Sequence, residues 1–432
     1  MGATRFFLMT FGCKVNQYET QAIREAWCGR GWIEADKASC ADIIVINSCA
    51  ITYTGERDAR WALTRLYREA PHARFIVTGC AADLVYQSLA DQTLRAQTQC
   101  VLQKDKAMLL HDPAMVSKDI YPPFAITAFQ RARPIVKIQD GCSHRCTYCI
   151  VPTVRSKPLS RPPADIVREA RTLLAKGYGE LILSGINMKQ YGVDHPEYGD
   201  MWDIVMLLER ELAEEYADRA RIRLSSVEPS QLDSRGLAVL EASTLLCPHL
   251  HLSLQHTAPQ ILRLMGRGHY TIEQVANAVS SLSSIWPRFG LGCDVIMGFP
   301  GETEEDVAHL LDAIRAMPFT YAHIFPYSPR PNTAAASFPN QVPDKLARER
   351  ARRVRTLFAE KNRAFRMTLV DKRVPLRVIP EHRSHQGQCK GVCEYYISCF
   401  WEGSGEHVGF ERVSPCGLHE QGLLVEREKA RE

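Results

Sequence analysis

The residues best placed for chemistry are three cysteines close together near the middle of the chain. Cys142, Cys146 and Cys149 follow one another in a C-x3-C-x2-C pattern, directly after an apolar run over 134–138 that is typical of a strand. Three thiolates suit a metal, but they fall one short of the four ligands that zinc or a cubic iron–sulfur cluster usually takes. One iron of such a cluster would therefore stay open to a non-protein ligand.

Other interpretations of this run stay open. The spacing i, i+4 and i+7 also describes one face of a helix, and free cysteine packs well in a core. His144 offers a fourth ligand for zinc, and a distant residue could complete either site. That helix face would carry no other large apolar residues, which argues against simple core packing. The number and spacing of the thiols therefore favour a cluster.

A second set of cysteines is spread widely in the sequence, yet each follows a strand-like run. Cys13, Cys49 and Cys80 come after apolar runs that helical patterns separate. Such alternation predicts a parallel sheet, in which the loops after the strands meet at one edge, so the three thiols would converge on a second cluster. The alternative is three unrelated core cysteines. This region carries further cysteines without such placement: Cys28, Cys40 and Cys100.

Composition is that of a globular protein with several domains. The chain has 432 residues, a length that suggests about two to four domains. A net charge of +4 permits a nucleic-acid partner without demanding one. We expect a cytoplasmic protein with no membrane partner, because no apolar run approaches a membrane span and the first residues lack a signal-peptide layout. Fifteen cysteines in a reducing compartment favour metal binding over disulfides.

The pattern of elements predicts three domains in a chain of class α/β. Residues 1–119 alternate strands and helices and predict an N-terminal parallel α/β domain. A Pro-containing stretch over 119–131 then predicts a linker. Residues 131–368 repeat about six strand–helix units, which predicts a partial (β/α)6 TIM-like barrel with its site at the carboxyl ends of the strands. Residues 369–432 carry the short strand-like runs of a small β-barrel.

The run from Asp140 to Pro152 resembles the cluster motif of the radical S-adenosylmethionine superfamily. The resemblance implies a [4Fe-4S] cluster on Cys142, Cys146 and Cys149, with S-adenosylmethionine chelated at the open iron. An electron from the reduced cluster would cleave that cofactor and release a 5′-deoxyadenosyl radical. Tyr148 stands where these enzymes carry an aromatic residue beside the adenine.

The motifs around Cys13, Cys49 and Cys80 resemble those of the methylthiotransferase family, whose radical enzymes carry two clusters. They read Thr-Phe-Gly-Cys-Lys-Val-Asn-Gln-Tyr-Glu-Thr, Asn-Ser-Cys-Ala and Thr-Gly-Cys-Ala. Branches of the family act on isopentenylated adenosine in tRNA, on threonylcarbamoylated adenosine in tRNA, or on an aspartate of a ribosomal protein. The Gly-Cys-Lys-Val-Asn-Gln-Tyr-Glu run is most similar to the threonylcarbamoyladenosine branch. Three short stretches depart from the family's usual residues, at 82–83, 155–156 and 256–258.

Groups at other strand ends fit a cleft for the cofactor. The expected contacts are backbone close to the methionine moiety, a carboxylate on the ribose and small residues along the adenine, although each position alone also fits ordinary turn chemistry. Two blocks that carry them, Arg-Leu-Ser-Ser-x-Glu-Pro and Asp-Val-Ile-x-Gly-Phe-Pro-Gly-Glu, also look like those of the family. The residues concerned are Ser184, Gly185, Glu228, Gln255, Val295 and Gly298.

Basic residues and late cysteines each allow two interpretations. Arg155, Lys157 and Arg161 after the cluster motif, and nine cations on a helix predicted over 344–367, fit either RNA phosphate or a solvated face. Four cysteines fit either zinc or a core, in a tail that is only weakly similar to the TRAM-like RNA-binding domain of related enzymes. They are Cys389, Cys393, Cys399 and Cys416.

Together the resemblances imply an enzyme that adds a methylthio group to C2 of N6-threonylcarbamoyladenosine beside the tRNA anticodon. One S-adenosylmethionine would methylate sulfur at an auxiliary [4Fe-4S] cluster on Cys13, Cys49 and Cys80, and a second would be cleaved at the other cluster. We further expect a monomer served by an electron donor such as flavodoxin or ferredoxin. The alternatives are the same reaction on isopentenyladenosine or on a ribosomal protein, a non-catalytic iron–sulfur RNA-binding factor, and a zinc-dependent binding module.

Overall fold

The fold was analysed in a computed structural model that describes residues 2–110, 124–383, 387–403 and 409–428. Along the chain, its strands form a five-stranded sheet, two adjoining four-stranded sheets and a closed five-stranded barrel. The first part of the predicted linker, over 119–123, and the start of one predicted strand, at His407, lie outside the described residues. Within those residues, no helix is both long enough and apolar enough to cross a membrane.

The N-terminal sheet is parallel throughout, as the sequence predicted, with strand order β2-β1-β3-β4-β5. Its elements are β1 (Arg5–Thr10), α1 (Lys14–Cys28), β2 (Ile33–Glu34), β3 (Ile43–Ser48), α2 (Tyr53–Glu69), β4 (Arg74–Gly79), α3 (Ala82–Gln87), α4 (Gln92–Gln97) and β5 (Thr98–Cys100). Both faces are covered because alternate residues of β3 enter two cores: Ile44 packs in one and Val45 in the other.

Helix α1 begins directly after Cys13, four residues before the start at Tyr18 that the sequence predicts. The first turn is mostly polar in sequence, so no apolar periodicity marks it as helical. Val15 and Asn16 are nevertheless buried there, and these tertiary contacts stabilise the turn. Asn16 donates from Nδ2 to the backbone oxygens of Phe11 and Ser48, at 3.0 and 2.9 Å. The early start fixes Cys13 between the end of β1 and a rigid helix.

The central domain is the predicted partial barrel of parallel strands. Its elements are β6 (Ile135–Asp140), α5 (Val151–Val154), β7 (Leu159–Ser160), α6 (Pro163–Ala175), β8 (Glu180–Gly185), α7 (Met201–Tyr216), β9 (Arg221–Leu224), β10 (Ser226–Val227), α8 (Ser234–Ala242), β11 (His249–Gln255), α9 (Pro259–Leu264), α10 (Ile272–Ile285), β12 (Gly290–Met297), α11 (Glu304–Ala316), β13 (Tyr321–Pro326) and α12 (Asp344–Asp371). Strands β9 and β10 are separated only by Ser225, so the wall has six parallel positions, with β7 antiparallel at the edge.

Buried charges close the amino end of the barrel. Glu180 accepts from Arg221 Nε at 2.6 Å and from Arg223 Nε at 2.7 Å. Both arginines also reach the C-terminal domain, where Arg221 donates to the Val392 oxygen and Arg223 to the Cys393 oxygen, each at 3.0 Å. The C-terminal domain thus covers this end, and the carboxyl ends of the strands remain for a site.

The C-terminal domain is a closed barrel with strand order β14-β15-β16-β18-β17. Its strands are β14 (Leu376–Arg383), β15 (Gln388–Cys393), β16 (Ser398–Glu402), β17 (Glu411–His419) and β18 (Gly422–Arg427). The sequence did not predict β15, which has Gly391 at its centre. That glycine allows close approach to β14, since a Cβ there would lie 2.4 Å from the Ile379 oxygen.

The late cysteines fill this core. Cys389, Cys393 and Cys399 have no exposed surface and lie in one hydrophobic cluster, whereas Cys416 is exposed. Cys389 Sγ donates to the Gly403 oxygen at 3.0 Å. Because three thiols lie inside and one outside, the four do not converge on a zinc ion.

Two arginines of the basic helix α12 make internal contacts. Arg350 is buried against Glu302 and Glu304, and Arg366 donates to the carbonyl oxygens of His419 and Gly422 at 2.8 and 2.7 Å. These arginines tie the helix to both neighbouring domains, which accounts for part of its charge without an RNA contact.

Candidate active site

A cavity of about 440 Å³ lies where the edge of the N-terminal sheet meets the carboxyl ends of the barrel strands. The N-terminal domain contributes Cys13, and the loop after β6 contributes Cys142, Cys146 and Cys149. The placement of strand ends predicted this arrangement within each domain. The structure adds that Cys13 of the N-terminal set faces the same cleft as the three central cysteines.

A tight turn at Gly141 aims the central cysteines at the cavity. Gly141 has φ +70°, and a Cβ there would lie 2.2 Å from the Lys157 oxygen, so a side chain would force the loop apart. The Cys149 amide donates to the Cys146 oxygen at 3.0 Å, and Asn187 Nδ2 approaches Cys142 Sγ at 3.5 Å. The run therefore forms a compact loop and does not continue as a helix face.

The electrostatics of the two cysteine sets fit metal ligands better than free nucleophiles. Burial, with smaller contributions from Cys146 and Cys142, raises the pKa of the Cys149 thiol to about 12. Burial likewise raises the pKa of Cys49 to about 11, with smaller contributions from Cys13 and Cys80. Nucleophilic cysteines have lowered pKa values, whereas a bound metal deprotonates its thiol ligands outright. The mutual influence also shows that the members of each set are neighbours.

Cys49 packs against a glycine of the Cys13 loop. Gly12 has φ +94°, and a Cβ added there would lie 2.5 Å from Cys49 Cβ and 2.6 Å from its Sγ. The Cys80 amide donates to the Ser48 oxygen at 3.1 Å, which joins the third loop to the second. Backbone packing thus brings together three cysteines that are far apart in sequence.

We expect Gly12→Ala to displace Cys49 and to lower the iron bound by the reconstituted protein, measured per chain. The added methyl group has no room at this position. Gly31→Ala is the matched control, because Gly31 also has a positive φ of +80° but nothing within 4 Å of its added Cβ. Both variants carry the left-handed backbone cost of about 1–2 kcal/mol. Equal iron in the two variants would contradict the assigned packing.

A buried ionic network joins Cys80 to the barrel. Arg155 Nε contacts Cys80 Sγ at 3.2 Å, while its Nη1 donates to Asp140 at 2.7 Å and to Glu19 at 3.0 Å. Glu19 also accepts from Lys106 at 2.5 Å and from Lys137 at 2.8 Å. Three cations against two carboxylates leave one positive charge beside the thiol.

The structure corrects the prediction for two of the three basic residues after the cluster motif, whereas Lys157 is exposed. Arg155 and Arg161 are buried, and Arg161 pairs with Glu169 at 2.7 Å. Neither is a solvated loop residue, and neither is accessible to an RNA phosphate.

A second cavity of about 640 Å³ reaches Cys80 from the other side. Arg155 and Asp140 form its wall, and Ile150 lies between the two cavities, lining both. Its rim includes the exposed residues Asp83, Leu102 and Lys104, so it opens to solvent.

The residues predicted for the cofactor divide into two groups. Tyr148, Glu228 and Gln255 line the first cavity. Four residues are not part of its lining: Ser184, Gly185, Val295 and Gly298. Val295 is fully buried in the core, while its neighbours Asp294 and Ile296 line the cavity, because adjacent strand residues face opposite sides. Gly298 instead accommodates α12, since a Cβ there would lie 2.2 Å from Ala347 Cβ.

Glu228 is held as an ionised acceptor in the cavity wall. It accepts from Arg267 Nη2 at 2.9 Å and lies 3.2 Å from His269 Nε2. Burial alone would raise the pKa of this carboxyl, but the hydrogen bond with His269 and the Arg267 guanidinium outweigh it and lower the pKa. Gln255 has φ +64°, a strained conformation for a residue other than glycine, of the kind that occurs at binding sites.

Several lining side chains were missed in the sequence. Asn187, Ser226 and Ser253 follow or end predicted strands, and their position alone was the available signal. Asp294 lies 3.1 Å from His251 Nε2 and 3.3 Å from His323 Nδ1. These three groups could hold a cation, but the nearby charge of Lys14 disfavours one, and we interpret them as a hydrogen-bonded network.

Comparison with known proteins agrees with this geometry. Residues 136–314 match the Radical SAM superfamily, and residues 5–103 match the Uncharacterized protein family UPF0004. Threonylcarbamoyladenosine tRNA methylthiotransferase MtaB of Aquifex aeolicus is 31% identical over 94% of this chain and 98% of its own length. The protein of that name from Chlamydia pneumoniae is 34% identical over 80% of each chain. The tRNA-2-methylthio-N(6)-dimethylallyladenosine synthase of Treponema denticola is 30% identical over 90% of this chain and 91% of its own length.

Solved structures add a likeness of fold. The radical S-adenosylmethionine methyltransferase TsrM of Kitasatospora setae has a TM-score of 0.55 over 77% of this chain and 75% of its own, at 14% identity. The sequence families, the full-length relatives and the shared cleft lead to one conclusion. The chain is an enzyme of the radical S-adenosylmethionine tRNA methylthiotransferase family, which uses a [4Fe-4S] cluster and S-adenosylmethionine.

Proposed function

We propose that this enzyme adds a methylthio group to C2 of the adenine in N6-threonylcarbamoyladenosine of tRNA. The observation that carries the proposal is the shared cavity, in which Cys13 faces Cys142, Cys146 and Cys149. A reaction that joins sulfur and a methyl group to an unactivated C–H needs a sulfur site and a radical site within reach of one nucleoside. The cavity offers both from two different domains.

Each cysteine set fits one [4Fe-4S] cluster. In this proposal Cys142, Cys146 and Cys149 hold the cluster that binds S-adenosylmethionine, and Cys13, Cys49 and Cys80 hold an auxiliary cluster. Three thiols per set leave one iron open, and the raised pKa of Cys149 and Cys49 favours metal ligands over activated thiols. When bound, the reduced cluster and its cofactor supply a radical that can take a hydrogen atom from an unactivated carbon. Electrons would come from a donor such as flavodoxin or ferredoxin, and the enzyme would act as a monomer.

The protein's own contribution is orientation and exclusion of water. Arg267 and His269 fix the position of the ionised Glu228, which would accept hydrogen bonds from the ribose hydroxyls of the cofactor. Tyr148, packed against Phe299 and Ala335 in a small apolar cluster, presents an aromatic surface to the adenine. Ile296 takes the place that the sequence assigned to Val295. These contacts hold the reacting groups in line and keep solvent away from them.

The sequence around Cys13 favours the threonylcarbamoyl group over an isopentenyl group. Its Gly-Cys-Lys-Val-Asn-Gln-Tyr-Glu run is most similar to the threonylcarbamoyladenosine branch of the family. The relatives from Aquifex aeolicus and Chlamydia pneumoniae carry the name of that branch.

Isopentenyladenosine in tRNA is the second candidate substrate. It is favoured by the relative from Treponema denticola, whose name gives a dimethylallyladenosine product and whose identity, 30%, is close to that of the threonylcarbamoyladenosine relatives. Both candidates share the two-cluster chemistry and differ only in the group on N6.

Mass spectrometry of nucleosides from bulk tRNA tests the substrate directly. We expect cells that lack this gene to lose only the methylthio form of threonylcarbamoyladenosine. The intact gene should restore it, and genes carrying Cys142→Ala or Cys49→Ala should not. Loss of the methylthio form of isopentenyladenosine would assign the second candidate. An unchanged nucleoside profile would contradict a tRNA substrate and direct the search to protein targets.

A further inference from the structure

The outer face of helix α2 carries an aromatic side chain and arginines beside the mouth of the active-site cavity. Trp61 is 77% exposed, the most exposed large hydrophobic side chain among the described residues. Arg57 and Arg65, one turn before and after it, are also exposed. A solvated tryptophan flanked by guanidinium groups is unusual for a surface that has no partner.

This face is continuous with the cavity. Ile51 and Thr52, at the start of α2, line the cavity, and Thr52 caps the helix by accepting from the Gly55 amide at 3.1 Å. The Tyr53 amide lies 3.4 Å from Ser328 Oγ, another lining residue from the barrel side. Tyr53 itself is 56% exposed. A polynucleotide strand that leaves the cavity across this rim would meet helix α2 first.

A buried ion pair ties helix α2 to the barrel. Glu56, in its first turn, accepts from Arg330 Nη2 at 2.6 Å and from Arg60 Nη2 at 2.8 Å. Arg60 and Arg330 are both paired with Glu56, so the exposed positive charge of this face comes from Arg57 and Arg65. Among the residues that the structure describes, Arg57 pairs with the adjacent Asp58 at 3.2 Å and Arg65 with Glu69 at 3.6 Å. Such exposed pairs are weak and leave both guanidinium groups accessible to a phosphate.

We propose that this face, Tyr53, Arg57, Trp61 and Arg65, binds the single-stranded RNA loop that flanks the target nucleoside. The inference rests on the proposed tRNA substrate and names where its loop lies. A cavity of about 440 Å³ has no room for the neighbouring nucleotides, so they lie outside its rim. Unpaired bases stack on aromatic side chains while arginines contact their phosphates. Trp61 is eight residues beyond Tyr53, about 12 Å along the helix. That distance corresponds to three or four bases stacked about 3.4 Å apart.

The proposal is tested by the affinity of the full-length, cluster-reconstituted protein for a fluorescent RNA hairpin with the anticodon stem and loop of the substrate tRNA. We expect Trp61→Ala to weaken binding about tenfold, the low end of what one base stacked on an aromatic ring contributes. Trp61→Phe should recover most of the affinity because it keeps an aromatic face. Arg57→Ala should reduce the dependence of affinity on salt, because it removes a phosphate contact.

Helix α7 offers a matched control. Met206 and Arg210 are an exposed apolar residue and an exposed arginine four positions apart, like Arg57 and Trp61 but on the barrel's outer surface. Met206→Ala and Arg210→Ala should leave the affinity unchanged. An affinity unaffected by Trp61→Ala, or an equal loss in the α7 variants, would overturn the proposal and leave the α2 face to a protein partner. If the unmutated protein fails to bind the hairpin, the proposed tRNA substrate itself is overturned, so the two failures are distinguishable.

Discussion

Replacing Cys142 with alanine is expected to abolish cleavage of S-adenosylmethionine and to halve the bound iron, while replacing Cys49 is expected to halve the iron and preserve cleavage. Two clusters correspond to about eight iron atoms per chain and one cluster to about four. Cys142 lines the active-site cavity from the barrel loop, and Cys49 packs behind Gly12 in the other domain. The two sites are therefore separable, and each substitution should remove one cluster and leave the other.

The measurements are iron per chain, the electron paramagnetic resonance signal of the reduced protein, and 5′-deoxyadenosine released with dithionite in the absence of oxygen. Cys28→Ala is the matched control, since Cys28 is an exposed cysteine of the N-terminal domain outside both sets. It should retain the full iron content and full cleavage. Cleavage that survives Cys142→Ala, or about four iron atoms in the unmutated protein, would contradict the two-cluster assignment.

Arg155→Met is expected to destabilise the protein by about 3 kcal/mol and to remove the auxiliary cluster. The substitution keeps the length of the side chain but leaves Asp140 and Glu19 without their shared guanidinium, and breaking a buried ion pair in this way typically costs about 3–5 kcal/mol. It also removes the N–H group that lies 3.2 Å from Cys80 Sγ. A hydrogen bond to a ligand sulfur is one of the groups that set the reduction potential of a cluster.

Arg161→Met separates these two effects. Arg161 is equally buried and donates to Glu169 from Nη1 at 2.7 Å and from Nη2 at 3.0 Å, whereas Arg155 contacts Cys80. Both variants should lower the denaturant midpoint, whereas only Arg155→Met should lose iron and change the resonance signal of the auxiliary cluster. Arg155→Lys should restore charge and part of the stability, with a shifted cluster potential. Iron loss of equal size in Arg155→Met and Arg161→Met would assign Arg155 a purely structural role.

The general organisation was predictable because it follows from local pattern and from the geometry of parallel sheets. Cys49 and Cys80 each follow a six-residue strand, and the rule that such loops share one edge places them together before any coordinates are known. The same rule placed Cys142 at the carboxyl end of the first barrel strand. Fold class needs only the alternation of strands and helices.

The packing between domains was not predictable from the sequence. Arg155 looked like a loop cation because its partners Glu19 and Asn16 are more than a hundred positions away. Val295 faces the core and Ile296 faces the cavity, because neighbouring residues of β12 point to opposite sides. A shift of one residue in the position of the strand would exchange the two, and the sequence does not fix that position. The start of α1 at Lys14 depends on buried contacts of Val15 and Asn16, which no local propensity contains.

The second cavity gives Cys80 a separate opening to solvent. Cys13 faces the cavity in which the proposed reaction would bring cofactor and nucleoside together, while Cys80 faces a second, solvent-open cavity behind Ile150. In the proposed reaction, a small sulfur-containing reagent would reach Cys80 through the second cavity while the first cavity is occupied. In the proposed reaction, sulfur would therefore be replaced and the nucleoside would bind through separate openings. The shape of the protein imposes no order on these two steps.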